Sequence, residues 1–322
     1  MADSYDSFAC EEYLLTGSRD LTFAYQRHPA AAIPSQQAVL LLSGFGIHPR
    51  AFRLRPHCDW VGHWLAIGVD VLTINLLPSQ GDCTIDEQAA ALATWVPLLR
   101  DRWGYQALHG LGFSLGGLQW LAAIQATQSS VSALLDALIL IEAPIDLRGY
   151  PITKIARFAL QAISLLGFSH IPYRWLNPLL AVAAPWLQRT AGWQKWANFS
   201  NLRQIPLSEI ITATFDNVPV GVARQLLRWI DTGELRCGVT QTDALANLPS
   251  LDIPLLLVCG CNDYSARALS LQQILSPTTL ICARAAGFAA DYGHADLLLG
   301  DRLRHEVLPR IQDWLLTCKR TN

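Results

Sequence analysis

The sequence predicts an α/β fold: a mostly parallel, eight-stranded type of sheet flanked by helices, with one helical insertion. Short apolar runs of strand length alternate with segments of helical periodicity. The early runs are followed by turn or helix signals, as expected for buried parallel strands joined by right-handed crossovers. This strand pattern stops near Asp146 and resumes at Ile253, which indicates an insertion between two parts of one sheet.

The elements of this sheet can be assigned in chain order. Residues 11–27 alternate polar and apolar side chains around a turn signal, which predicts an antiparallel hairpin at a sheet edge. Helical spacing marks residues 86–100 and 118–126. The apolar runs that predict the buried strands are 38–42, 69–76, 107–113, 135–141, 253–259 and 279–283.

The insertion predicts a separate helical cap. We place the core at residues 1–145 and 247–322 and the cap at 146–246, where prolines interrupt helical segments. The cap holds five of the chain's 11 tryptophans, which either fill its own core or form an apolar wall over a site. Trp175 and Trp186 are candidate pocket residues. The cap is also mildly basic, which fits a solvated face, a phosphate-bearing thiol ester or an anionic surface.

Composition excludes several classes of partner. A formal net charge of −2 and a pI near 6.4 give no basic field for nucleic acid. The acidic start of the chain lacks an export signal, and no apolar run reaches the length that spans a bilayer. The eight scattered cysteines suit reduced thiols. We therefore expect a soluble, cytoplasmic protein, and the sequence does not indicate its oligomeric state.

A nucleophile motif follows the third core run. Gly112-Phe113-Ser114-Leu115-Gly116-Gly117 lies between a strand-like and a helix-like segment, the context that a nucleophile elbow requires. The tight turn strains the backbone at the nucleophile, and the flanking glycines let neighbouring chain pass closely. Ser114 is therefore the predicted nucleophile, and Phe113 is a candidate for lining its pocket.

An acid and a base follow in the order that such an elbow needs. Asp263 comes just beyond the strand-like run 253–259, past the insertion, and is the predicted acid. His294 lies in a loop after the next apolar run and is the predicted general base. Asp291 and Asp296, which lie close to His294, are rival orienting carboxylates.

An oxyanion hole is expected after the first core strand, in Ser43-Gly44-Phe45-Gly46. The backbone N–H groups of Phe45 and Leu115 are its predicted donors, and His48 is a candidate for lining the pocket. No cofactor is implied. The cluster of His57, Cys58, Asp59 and His63 does not match a standard zinc pattern, so no metal is predicted.

Together, GFSLGG, LLSGFGIHPRAFRL and DYGHADLLLG resemble the branch of α/β-hydrolases that contains polyhydroxyalkanoate synthases and acid lipases. The resemblance covers nearly the whole chain and implies the α/β-hydrolase fold. Those synthases carry cysteine at the elbow, whereas this chain has Ser114, so hydrolysis of a hydrophobic acyl ester or thioester, small or carrier-bound, is the expectation. An acyltransferase or cyclase using the same acyl-serine, and a non-catalytic scaffold, remain alternatives.

Overall fold

The computed structural model describes residues 10–16, 21–30, 35–78, 81–126, 134–147, 154–238, 242–243, 251–261 and 278–318. Eight strands form one sheet, and four shorter strands form two small ladders within and after the insertion. The strands are β1 (Glu11–Thr16), β2 (Thr22–His28), β3 (Gln37–Leu42), β4 (Asp70–Asn75), β5 (Ala107–Phe113), β6 (Ala137–Ile141), β7 (His170–Ile171), β8 (Val218–Pro219), β9 (Arg236–Cys237), β10 (Thr242–Asp243), β11 (Leu255–Gly260) and β12 (Thr278–Cys282).

Helices connect these strands and form the insertion. The α-helices are α1 (Trp60–Ala66), α2 (Ile85–Trp103), α3 (Leu115–Ala126), α4 (Lys154–Leu165), α5 (Tyr173–Leu187), α6 (Ala191–Trp196), α7 (Leu207–Thr214), α8 (Val220–Thr232), α9 (Asp296–Leu299), α10 (Leu303–Glu306) and α11 (Leu308–Thr317).

The strand order of the large sheet is β1-β2-β4-β3-β5-β6-β11-β12. β1 pairs antiparallel with β2 and β2 antiparallel with β4, while every later pair is parallel. This arrangement confirms the predicted fold class and the antiparallel hairpin at one edge. Because β3, β5, β6 and β11 run in parallel, their carboxyl ends lie along one edge of the sheet, where ligand sites of open α/β sheets form.

Alternate side chains of the central strands enter two cores on opposite faces of the sheet. Leu40 and Leu42 of β3 join the core that includes α2, α3 and α8. Val39 and Leu41 join the core that includes α1 and α9–α11. The sheet is therefore covered on both faces, which explains why its central strands are mostly apolar.

Four of the helices, α5 to α8, follow one another between β6 and β11, after α4. We call residues 154–238 the inserted segment. Besides its helices it contains the β7–β8 ladder, in which His170 pairs with Pro219, a feature that the sequence pattern did not predict. The inserted segment meets the carboxyl end of the sheet, where Ile47 bridges to Phe215 and the N–H of His48 donates to the carbonyl of Thr214.

Candidate active site

Ser114 lies at the sharp turn between β5 and α3. Its φ of 53° is in the left-handed region that non-glycine residues rarely adopt. Its N–H donates to the carbonyl of Ile141 on the neighbouring strand, 2.8 Å away. A Cβ on Gly112 would lie 2.5 Å from the nitrogen of Gly117, so only glycine fits where the end of β5 passes the start of α3. The geometry is that of a nucleophile elbow, with a side chain that is partly exposed.

Glu142 is the second non-glycine residue with a positive φ, 50°, among the described residues. It follows directly after β6, and its N–H donates to the carbonyl of Val258 on β11 at 2.9 Å. The carboxylate is buried, with 1% of the side chain exposed. Its Oε1 accepts a hydrogen bond from the N–H of Gly260. Strained backbone at two adjacent strand ends is the kind of clustering that functional sites show.

His294 faces this carboxylate. Its Nδ1 lies 3.7 Å from Oε2 of Glu142, longer than a hydrogen bond but within ion-pair distance. The imidazole is 19% exposed and packs against the ring of Phe113, with the ring centroids 5.0 Å apart. Nδ1 therefore points at a buried acid while the side chain also borders the cavity that Ser114 lines.

The loop that carries His294 is held by Asp296. One oxygen of this buried carboxylate accepts from the N–H groups of Gly293 and Asn198, and the other accepts from the side-chain amide of Asn201. Burial raises the pKa of Asp296 to about 7, against the opposing effect of those donors. Asp296 therefore fixes the histidine loop to the inserted segment, and both of its oxygens are engaged in these hydrogen bonds.

The other predicted carboxylates are engaged or undescribed. Asp291 Oδ1 accepts from the N–H of Arg284 at 2.9 Å. Asp263 lies outside the described residues. Glu142 was not predicted, because in the order Ser, Asp, His expected for such an elbow the acid comes after the insertion. The available signal was a charged residue placed directly at the end of the buried apolar run 135–141.

The loop expected to form an oxyanion hole lies beside the elbow. Phe45 and Leu115 both border a cavity that Ser114 lines, and a Cβ on Gly44 would lie 3.2 Å from that of Ser114. The prediction that His48 lines the pocket is wrong. Its Nδ1 accepts from the N–H of Arg50 and so caps a short 3₁₀ helix, and neither cavity at Ser114 includes it.

Among the described residues, two cavities meet at Ser114 and share Phe45 and Tyr173. The first, of about 400 Å³, we call the aromatic cavity. The second, of about 560 Å³, we call the aliphatic cavity. Besides the shared residues, the aromatic cavity is lined by Gly44, Gly46, Ile47, Phe113, Gly192, Trp193, Trp196, Phe215 and His294. The aliphatic cavity is lined mainly by Leu115, Leu118, Pro144, Leu147, Leu160, Ile163, Ile171, Leu176, Ala223, Leu226, Leu227 and Ile230.

The prediction that Trp175 and Trp186 line the pocket is also wrong. They lie on the outer face of α5, with 77% and 65% of their surface exposed. Trp193 and Trp196 of α6 border the cavity instead, stacked edge to face with centroids 5.0 Å apart. Phe113 lines this cavity too.

Two residues of the cluster for which no metal was predicted have structural roles. Asp59 accepts from the N–H of Gly62 and caps α1, and Cys58 is buried, which raises the pKa of its thiol to about 12. Within the described ranges, no group of three or more potential metal ligands comes together. Within the same ranges, the helices are too short or too polar to cross a bilayer.

The elbow, the parallel sheet and the histidine loop together define an α/β-hydrolase. The sequence profile of the alpha/beta hydrolase family matches residues 39–307, and the chain belongs to this family. The narrower resemblance to polyhydroxyalkanoate synthases and acid lipases stays a prediction. No curated protein matches the sequence significantly.

Solved structures show the same fold at low sequence identity. A thermophilic esterase from Thermogutta terrifontis is 16% identical with a TM-score of 0.61, over 96% of this chain and 99% of that one. A carboxyl esterase from Bacillus coagulans is 15% identical with a TM-score of 0.63, over 97% and 99%. A thioesterase domain from the curacin biosynthetic pathway is 15% identical with a TM-score of 0.56, over 96% and 99%.

Proposed function

We propose that the chain is a serine hydrolase that cleaves an ester or thioester of a hydrophobic acyl group through an acyl-enzyme on Ser114. The observation that carries this proposal is the arrangement at the sheet edge: a strained Ser114 shares a cavity with His294, whose Nδ1 faces a buried carboxylate. Nucleophile, base and orienting acid are the three roles that acyl transfer by serine requires.

In the first half-reaction, Ser114 Oγ attacks the acyl carbonyl and its proton passes to Nε2 of His294. The carboxylate at Nδ1 holds the ring and stabilises the imidazolium. The N–H groups of Phe45 and Leu115 donate to the oxyanion of the tetrahedral intermediate. His294 then gives its proton to the leaving alcohol or thiol, and water, activated by the same imidazole, releases the acid and regenerates Ser114.

We assign the orienting role to Glu142. Its Oε2 lies 3.7 Å from Nδ1 of His294, and its Oε1 is fixed by the N–H of Gly260. A buried carboxylate is costly unless it is paired and hydrogen-bonded, and this one has both kinds of partner. Asp263 is the alternative acid that the sequence pattern favours, and the two assignments are separable by mutation.

The direction of proton transfer suggests which cavity holds the leaving group and which holds the acyl chain. The leaving group must receive its proton from His294, so it occupies the aromatic cavity, which His294 lines. The acyl chain then extends into the aliphatic cavity. Both volumes fall in the usual range of about 300–1,000 Å³ for small-molecule sites. Residues 146–246 act as a cap, with α4, α5 and α8 forming the walls of the aliphatic cavity.

The function is tested with a panel of p-nitrophenyl esters and the matching acyl thioesters, from acetyl to lauroyl, on the wild type and Ser114→Ala. Hydrolysis by the wild type that falls by about 10³-fold or more in the variant supports the proposal. Product analysis with an added alcohol or thiol separates hydrolysis from acyl transfer. A folded wild type that leaves every ester and thioester intact contradicts it.

A further inference from the structure

An exposed apolar stripe runs along the outer face of α5. Trp175, Leu179, Val182 and Trp186 are spaced by four, three and four residues, which places them on one side of the helix over three turns. Their exposed fractions are 77%, 70%, 71% and 65%. We call this set the outer apolar face. It is a continuous surface feature on the inserted segment.

The opposite side of the same helix faces the protein interior. Asn177 and Ala184 are buried, and Leu180 packs against the core beneath. Leu176 lines the aliphatic cavity that reaches Ser114. After Arg174, α5 contains no charged residue. The inner side of α5 is thus packed against the protein, whereas its apolar outer face is left exposed within the described structure.

The exposed apolar area is comparable with the largest apolar patch of a typical monomer. Trp175 and Trp186 alone expose on the order of 300 Å² of ring surface, which already reaches the largest patch of a typical monomer. The chain that enters α5 adds to it, since Leu165, Leu166 and Phe168 are 88%, 73% and 49% exposed. Tryptophans at both ends of an aliphatic stretch suit a boundary between lipid and water, where an amphipathic ring is favoured.

The charge of the sequence around the outer apolar face favours an anionic partner. From residue 147 to residue 208 the sequence has seven Lys or Arg residues and no Asp or Glu. Asp216 and Asp231, from other elements, pair with Arg174 and Arg157. Arg189 is exposed three residues beyond Trp186, close to the end of the stripe. A second copy of the chain meeting the same face would oppose like charges across a two-fold axis, whereas an anionic surface complements them.

We propose that the outer apolar face docks on an anionic phospholipid surface, with α5 lying in the plane of the interface. The two tryptophans and Leu179 enter the boundary of headgroups and acyl chains, and Arg189, exposed near the end of the stripe, faces the lipid phosphates. The inner side of the same helix borders the aliphatic cavity, so docking places that cavity next to the lipid. This inference does not depend on the proposed chemistry at Ser114.

The test is co-sedimentation of the full chain with vesicles of phosphatidylcholine, alone or mixed with phosphatidylglycerol, together with the emission of the exposed tryptophans. We expect binding to the anionic vesicles with a blue shift, and weaker binding at high salt. Leu179→Gln combined with Val182→Gln should weaken binding by at least tenfold, and Arg189→Gln by about fivefold. The matched control changes Leu98 and Leu316, which are 59% and 53% exposed on α2 and α11, to Gln.

The control should bind as the wild type does. A folded wild type that does not bind anionic vesicles overturns the proposal. An equal loss of binding in the control and in the Leu179 and Val182 variant overturns it too. Size-exclusion measurements across a range of concentrations add a further outcome. A dimer that the Leu179 and Val182 changes dissociate, without vesicle binding by the wild type, would assign the face to a second copy and overturn the lipid proposal.

Discussion

Nδ1 of His294 lies 3.7 Å from Oε2 of Glu142, a buried carboxylate at the end of β6 whose other oxygen is fixed by the N–H of Gly260. The contact joins two strand ends and the histidine loop. In the proposed mechanism this contact supplies the orienting acid from the strand next to that of Ser114, whereas the sequence pattern favours Asp263, after β11.

The first prediction distinguishes the two acids. Glu142→Gln should lower kcat by about 10²–10⁴-fold with little change in KM, because the amide cannot stabilise the imidazolium. Asp263→Asn should change kcat far less. Steady-state kinetics on the best ester measure both, and Glu142→Asp should recover part of the loss. The reverse order of effects would return the role to Asp263.

The second prediction concerns the acyl chain. Each methylene buried in the aliphatic cavity contributes about 0.8 kcal/mol, so octanoyl esters should exceed butyryl esters by at least tenfold in kcat/KM. Ala223→Phe places a ring in this cavity and should abolish that preference while sparing acetyl esters. The activity of wild type and variant is measured over a series of acyl-chain lengths. A profile that the added ring leaves unchanged would show that the acyl chain does not bind in the aliphatic cavity.

The matched change in the other cavity is Gly192→Leu. A Cβ at Gly192 meets nothing within 4 Å, so the larger side chain can enter the aromatic cavity without disturbing the backbone. It should raise KM for esters of bulky alcohols and leave the acyl-chain preference as in the wild type. A shift in chain-length preference in this variant would show that the acyl chain lies in the aromatic cavity and the leaving group in the aliphatic cavity.

The third prediction concerns the elbow. In Gly112→Ala, the new methyl would lie 2.5 Å from the nitrogen and 2.6 Å from the oxygen of neighbouring glycines at the turn. The variant should lose roughly 2–4 kcal/mol of unfolding free energy and most of its activity. Gly192→Ala, which adds a methyl in open space within α6, should be neutral or slightly stabilising. Urea unfolding of the pair measures both effects.

The fourth prediction concerns stability and pH. Burial lowers the pKa of His109 to about 4, so the folded state stays neutral while the unfolded state gains a proton below about 6.5. This contribution is complete above pH 6.5 and is lost as the pH falls towards 4. In His109→Gln, the fall in unfolding free energy between pH 7.5 and 4.5 should be smaller by about 2–3 kcal/mol.

His305→Gln is the control, because this histidine is exposed on α10. Its pH dependence of unfolding should match that of the wild type. If His109→Gln also keeps the wild-type dependence, the buried imidazole at position 109 does not couple folding to protons in the way described.

Much of the fold could be predicted because it depends on local patterns. The strands β3 to β6 produce mostly apolar runs, and the elbow is a contiguous motif between a strand and a helix. The position of Glu142 beside His294 was different, since it depends on which strand ends become neighbours in the sheet. Trp175 and Trp186 were misplaced because α5 is apolar on both sides, so periodicity could not tell its inner face from its outer one.

The activation of Ser114 as a nucleophile is tested most directly by the intact mass of the protein after exposure to a fluorophosphonate. We expect one adduct on the wild type, none on Ser114→Ala, and a much slower reaction in His294→Ala. No adduct on a folded wild type, or an adduct that persists in Ser114→Ala, would contradict it.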